Sequence, residues 1–370
     1  MQPIFIPNAG IDSLQHALDH LAREGARSVQ ILGCVGNGWT SELLAPLLRS
    51  APVPVFGGLF PGVIYDGQTH DLGAVLIGHA EAARVFDVEL AVDNYDAEKW
   101  VSGIANARTV ICYLDATCPT GALMRELFRN RTEQAVWCGG GAGSLDFVRQ
   151  PVIITPRGLL EGAAVFACLD APTTLGITHG WSAFGPPMLV TEARGNDVVT
   201  LDWRPAFEVY REAVEGHSSQ KFDEEGFFTL ASRYPLVLER FGKEGVVRDP
   251  LEALPSGELR CAGDIPTHST VRVATGTFEQ MLDAANEARV RAQGSRTEAS
   301  GALALTIDCI SRSLLLGERL REELEALRIP GTSQVGALTI GEVASDPDSF
   351  LQVHNKTTVL ALIGPQDSAA

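Results

Sequence analysis

Two stretches of this chain, Val29–Gly78 and Leu303–Gly364, run through the same order of residue types. Each opens with an apolar strand that ends in a cysteine, Cys34 or Cys309, and a small polar turn. An amphipathic helix follows, then a short valine-bearing stretch ending in glycines, a polar loop, and a strand closing on Leu-Ile-Gly. Recurrence on this scale implies one structural unit used twice. Two related units that face each other leave a cleft between them, and function is sought there.

The chain has 370 residues, 45% hydrophobic and 20% charged, enough to bury a large core and to form two domains. Its formal charge of −17 repels a phosphate backbone or an anionic bilayer, which argues against nucleic acid as a partner. The seven cysteines show no C-x-x-C spacing. Most sit inside apolar strands such as ICYL and VFACL, where a free thiol acts as a small hydrophobe. That usage fits a reducing, cytoplasmic setting. The opening residues MQPIFIPNAG lack the pattern of a signal peptide, and no apolar run reaches eighteen residues, so no membrane insertion is expected.

Leu14, Ala17, Leu18 and Leu21 recur at helical spacing, with Asp12 and Ser13 as candidate caps. Strands are expected at 29–34, 53–57, 72–78 and 109–115, and helices at 40–50, 96–106 and 121–130, the last with Leu123, Leu127 and Phe128 inward. Residues 151–169 read as a hairpin, and 176–203 as two strands about a turn at Gly195-Asn196. A helix beginning at Pro205 marks the boundary between residues 1–204 and 205–370. A long helix is expected at 277–293, and a frayed end at Gln366–Ala370. Helices are too few for a parallel sheet with a helix at every crossover. The expected class is therefore mixed α/β (α+β): two related halves from an internal duplication, each a mixed or antiparallel sheet covered by helices.

Several motifs carry candidate chemistry. The run Gly139-Gly140-Gly141-Ala142-Gly143-Ser144 lets backbone approach a ligand or a neighbouring strand closely, with Gly140, Gly141 and Ser144 as contact candidates. It matches neither G-x-G-x-x-G opening a helix nor a phosphate-binding loop with lysine. His179-Gly180-Trp181 offers an imidazole and an indole beside a flexible glycine, suited to a small polar ligand or to a rigid turn. Gly341-Glu342 and His354-Asn355 lie near the last strand, and a glutamate in so apolar a setting needs a partner. Arg312, after Cys309-Ile310-Ser311, could pair with Glu342 or clasp a ligand carboxylate. Cys34 or Cys309 with His179 could form a nucleophilic pair, although only Cys309 has a cation nearby in sequence. His16 and His20 share a helix face without the glutamate of a zincin, so no metal site is expected.

Taken together, these segments resemble the FIST family of bacterial sensory proteins. The resemblance rests on HGWSAFGPPMLVTEARGNDVVTLDWRPAFEVY (179–210), YPL (234–236), VVRDPL (246–251) and CAGDIP (261–266). It continues in CISRSLLLGERLREEL (309–324), GALTIGE (336–342) and HNKT (354–357), with GGLFPGVIYDG (57–67) and CGGGAGS (138–144) in the first half. It implies a FIST N-terminal domain over 1–204 and a FIST C-terminal domain over 205–370. It also implies a cytoplasmic, non-enzymatic sensor of a small molecule such as an amino acid. Such a sensor would signal through a separate partner, for example a histidine kinase. Some relatives are described as haem-binding nitric-oxide sensors, which makes His179, His354 or a cysteine an alternative axial ligand. Two departures stand out: Leu59–Val63 offers no acid equivalent to Glu342, and Trp203 occupies a position where glycine is frequent.

Overall fold

A computed structural model describes residues 2–8, 10–90, 98–130, 135–294, 296, 299, 301–345 and 351–364. The first strands are β1 (Ile4–Ile6), β2 (Ser28–Cys34), β3 (Val55–Phe60), the hairpin β4 (Gly62–Tyr65) and β5 (Gln68–His70), and β6 (Ala74–His79). Next come β7 (Arg84–Glu89), β8 (Thr109–Asp115), β9 (Val136–Ala142), the hairpin β10 (Ile153–Thr155) and β11 (Gly158–Leu160), and β12 (Ala163–Leu169). β13 (Thr173–Thr178) precedes a separate module of β14 (Ser182–Arg194), β15 (Asp197–Leu201), β16 (Arg204–Pro205), β17 (Leu236–Leu238), β18 (Val246–Arg248), β19 (Pro250–Ala253), β20 (Leu259–Cys261) and β21 (Thr270–Thr275). The chain then returns with β22 (Leu303–Cys309), β23 (Ser333–Thr339), the hairpin β24 (Glu342–Ser345) and β25 (Gln352–His354), and β26 (Thr358–Ile363). The class is mixed α/β, as the periodicities imply.

One strand order recurs in three sheets: β1-β6-β2-β3, β7-β12-β8-β9 and β13-β26-β22-β23. In each, the last two strands named are parallel and every other neighbour is antiparallel. The two segments paired in the sequence supply β2–β6 and β22–β26; the intervening region, 84–169, takes the same order with little likeness of sequence. Each hairpin leaves its own sheet and pairs antiparallel with the next one: β4 on β23, β10 on β3 and β24 on β9. The three sheets turn their inner faces to one core, which includes Ile31, Phe56, Ile111, Tyr113, Ile307 and Val359.

Register repeats as well. Ile31 stands opposite Gly57, Cys112 opposite Gly139 and Thr306 opposite Gly336. A Cβ at any of those glycines would land on the carbonyl oxygen of the residue opposite. The close approach of the two parallel strands thus demands glycine at one point in each sheet.

Helices cover the outer faces. α1 (Ile11–Arg23) buries Leu14, Ala17, Leu18 and Leu21, the stripe expected, and each of its leucines contributes about 2 kcal/mol. It starts after Gly10 with no side-chain cap; Asp12 lies in its first turn, where a carboxylate suits the helix dipole. α2 (Ser41–Arg49) packs with α1 on the first sheet. α3 (Glu98–Ala105) and α4 (Gly121–Asn130) bury Trp100, Ile104, Leu123 and Leu127 against the second sheet. The inward side chain expected at Phe128 and the frayed tail expected at Gln366–Ala370 lie outside what is described.

The module between β13 and β22 has its own sheet and its own core around Val190, Tyr210, Leu236 and Val271. It carries α5 (Ala206–His217), α6 (Phe222–Glu225) and α7 (Phe227–Ala231). Pro205 precedes α5 rather than opening it, because it pairs with Thr200 at the end of β15. Trp203, at φ 61° and 79% exposed, holds a left-handed conformation in which glycine is at home. α8 (Phe278–Gln293) begins with a capping box between Thr277 and Gln280 and returns the chain to the third sheet. α9 (Ile310–Leu316) and α10 (Leu320–Ala326) lie between β22 and β23.

Candidate functional site

The body meets the inserted module where β13 passes into β14. There Gly180, at φ 74°, turns the chain so that His179 and Trp181 face inward. A Cβ on Gly180 would press on the α8 backbone at Gln280 and Met281, so glycine is required. The His179 Nδ1 accepts a hydrogen bond from the Trp181 N–H at 2.9 Å. In the neutral ring the proton therefore sits on Nε2. That nitrogen stands 3.4 Å from Glu244 Oε1 without the alignment of a hydrogen bond.

Behind this turn lies a closed polar network. Arg312, in α9, exposes no surface. Its Nε donates to Glu323 Oε1 at 3.1 Å, its Nη1 to the carbonyls of His179 at 2.6 Å and Lys356 at 3.3 Å, and its Nη2 to Met281 O at 3.5 Å and to Glu323. All five guanidinium protons are used, so the carboxylate clasp considered from the sequence has no donor left. Nor does Arg312 pair with Glu342: Glu323, one turn into α10, reaches it first, and Asp308 Oδ1 lies 3.6 Å away. Nearby, Lys356 Nζ pairs with Asp249 Oδ2 at 3.1 Å, and the Ser311 hydroxyl donates to the same oxygen at 3.1 Å. Trp181 Nε1 donates to Lys356 O at 3.3 Å. The His179 carbonyl is thus held by the buried Arg312 guanidinium, and the Trp181 indole by the Lys356 carbonyl.

Glu342 exposes no surface and forms no ion pair among the described residues. It accepts from Thr339 Oγ1 at 3.2 Å and from the Thr357 N–H at 3.3 Å, and also meets the Cys309 thiol. Burial, then the neighbouring Asp308, holds its carboxyl well above the usual range. Asp308 is raised by burial and by Glu323. Gly140 stands opposite Glu342 across the β9–β24 pair, and the Gly141 N–H donates to Gly341 O at 2.8 Å. These glycines serve close strand packing. His354 stands opposite Glu342 on the other side, and Asn355 is buried beside Gly341. Ser144 stands apart on a surface loop, bonded to Asp146 and Gln150.

Of the residues singled out in the sequence, His179 and Trp181 border an open space at this junction. It is a cleft of about 860 Å³ whose other charged walls are Glu239, Arg240, Lys243 and Glu244. The sequence reading missed those four and the partners Asp249, Asp308, Glu323 and Lys356. Asp249, Glu323 and Lys356 sit inside quoted motifs, VVRDPL, CISRSLLLGERLREEL and HNKT, without a role assigned to them there.

Neither histidine suits a metal. Ligation through His179 Nε2 would require breaking the Trp181 N–H bond to Nδ1, and His354 is enclosed. Cys34 and Cys309 are buried within the sheets, out of reach of a haem iron, and burial pushes the Cys34 thiol up to about 12 and the Cys309 thiol higher. Haem therefore does not fit these donors. His16 and His20 lie exposed on α1.

Burial, then Arg312, pushes His179 down to about 4; burial, then Arg248, pushes His354 to about 3. The unfolded chain takes up these protons near pH 6.5, so their contribution is intact above that pH and fades as pH falls towards 4. Asp308 and Glu342, shifted upward, carry the opposite sign. The informative quantity is therefore the difference between variants. His354→Gln should flatten the acid side of a urea-stability profile between pH 6.5 and 4.5 by up to about 1.4 kcal/mol per pH unit. An unchanged slope would contradict the assignment.

Comparison with protein families gives two matches: a FIST N domain over residues 5–204 and a FIST C domain over 206–345. No curated protein matches the chain. Among the described residues no helix is long and apolar enough to cross a membrane.

Proposed function

The chain belongs to the FIST family, whose domains are sensory domains of signal-transduction proteins, and on that footing we propose that it senses an amino acid or related small metabolite in the cleft walled by His179 and Trp181. The observation that carries this reading is the His179 ring: its Nε2–H is fixed by a backbone N–H, buried, and set in a cleft wall that bears both signs of charge. A zwitterion matches such a wall, its ammonium towards Glu239 and Glu244 and its carboxylate towards Arg240, Lys243 and the imidazole N–H. Trp181 supplies the apolar side. Binding without catalysis is favoured by thiols that lie buried with their pKa raised. Seven unpaired cysteines suit the cytoplasm. The signal would pass to a separate protein, a histidine kinase being one class. The recurring strand order supports a body built from copies of one unit.

Calorimetry against the twenty amino acids tests the reading. One or more should bind, and His179→Gln should weaken that binding about tenfold, the loss of one hydrogen bond to a carboxylate. Failure of every amino acid to bind, or full affinity in His179→Gln, would remove this cleft from consideration.

A further inference from the structure

A second cleft, of about 830 Å³, lies between α4 and the inserted module. It shares only Leu238 with the cleft at His179. Its main feature is Arg248, at the end of β18. That side chain is 7% exposed. Its Nε donates to Asp264 O at 3.0 Å and its Nη1 to Val247 O and Val353 O, each at 3.0 Å. Among the described residues its Nη2 has no partner, and no carboxylate pairs with the guanidinium. Burial draws its pKa down to about 10, only partly offset by the charges of Cys261 and Asp264.

Arg125, from α4, borders the same space and likewise has no ion-pair partner among the described residues. The acid in this wall, Asp264, acts on Arg248 through its charge but forms no ion pair with either arginine among the described residues. A Cβ on Gly121 would land on its Oδ2, so its carboxylate abuts the start of α4, where the helix dipole favours negative charge. Arg125 and Arg248, from different parts of the fold, thus border one cleft in a chain whose net charge is −17, together with a third arginine, Arg129, that pairs with Glu126 at 3.3 Å. The remaining wall is largely apolar: Met124, Ile265, Leu351 and Val353. Inorganic phosphate would leave that surface wet, whereas an acid with a hydrocarbon body would cover it.

We propose that this cleft is a second ligand site, taking a small organic acid with an apolar body whose carboxylate is gripped by Arg125 and Arg248. Because the two arginines come from the second sheet's helix and from the inserted module, an occupied site fastens the module to the body. The site stands independently of the amino-acid reading, since the two clefts have different polar walls.

Titration calorimetry with phenylacetate, hexanoate and inorganic phosphate tests it on the wild-type chain and on Arg125→Gln, Arg248→Lys and His179→Gln. Phenylacetate or hexanoate should bind, with phosphate at least tenfold weaker. Arg125→Gln and Arg248→Lys should each reduce that affinity tenfold or more, because bidentate contact is lost, while His179→Gln should leave it unchanged. Arg125 is exposed and makes no hydrogen bond or ion pair among the described residues, so its variant is informative even where Arg248→Lys folds poorly. The proposal is overturned if neither acid binds, if phosphate binds as tightly, or if Arg125→Gln leaves affinity intact. Loss of amino-acid binding in His179→Gln with organic-acid binding retained would separate the two sites.

Discussion

Arg312→Ala should cost about 3–5 kcal/mol of folding stability, a loss visible as a large drop in the urea midpoint. The magnitude follows from what the side chain leaves behind. Glu323 would keep a buried carboxylate without its cation, and the carbonyls of His179, Lys356 and Met281 would lose their donor. Arg312→Met retains much of the volume and should fare little better, because the deficit is charge and hydrogen bonding rather than a cavity. In Glu323→Gln with Arg312→Met, both ends of the ion pair become neutral and part of the loss should return. A deficit under about 1 kcal/mol in Arg312→Ala would mean that the network is dispensable. Arg312 thus acts on the His179 cleft indirectly, by holding a carbonyl of the turn that lines it.

A comparable loss, about 3–5 kcal/mol each, is expected for Gly57→Ala, Gly139→Ala and Gly336→Ala. At every one the added methyl would fall on a carbonyl oxygen of the adjacent parallel strand, which cannot retreat without breaking its own ladder. Gly57 and Gly139 add a backbone with φ of 151° and 146°, which side chains rarely adopt. Gly216 is the control: it lies in α5 with open space around its Cβ position, so alanine there should be neutral or stabilising by up to about 1 kcal/mol. Thermal or urea unfolding of the four variants decides the matter. Similar costs at 57, 139 and 336 would show that the three sheets impose the same constraint. A mild effect at any one would break that equivalence.

Much of the fold was legible locally. Thr109–Asp115 and Gly121–Asn130 fall where alternation and helical spacing put them, and the turn at Gly195-Asn196 separates β14 from β15. Pairing between distant strands was not legible. Residues 84–169 share strand order with the other two regions while differing in residue type, since a buried strand asks only for apolar side chains of suitable volume. The same tolerance hid the partner of Arg312. Which acid it meets depends on how α9 turns into α10, and no spacing in the sequence separates Glu323 from its neighbours Glu322 and Glu325. His179-Gly180-Trp181 was found because its glycine and its aromatic neighbours signal a constrained corner. The charged walls of both clefts were not, because arginine and glutamate on a loop look the same whether they line a cleft or face bulk water.

The outward-reaching hairpins give the molecule a woven character. β4–β5 completes a sheet formed mainly after residue 302, and β24–β25 completes one formed before residue 170. Severing the backbone near residue 205 would therefore strip an edge from each side and bare a row of unpaired amides on both fragments. The stretches matched separately as FIST N and FIST C thus each supply an edge that the other's sheet needs.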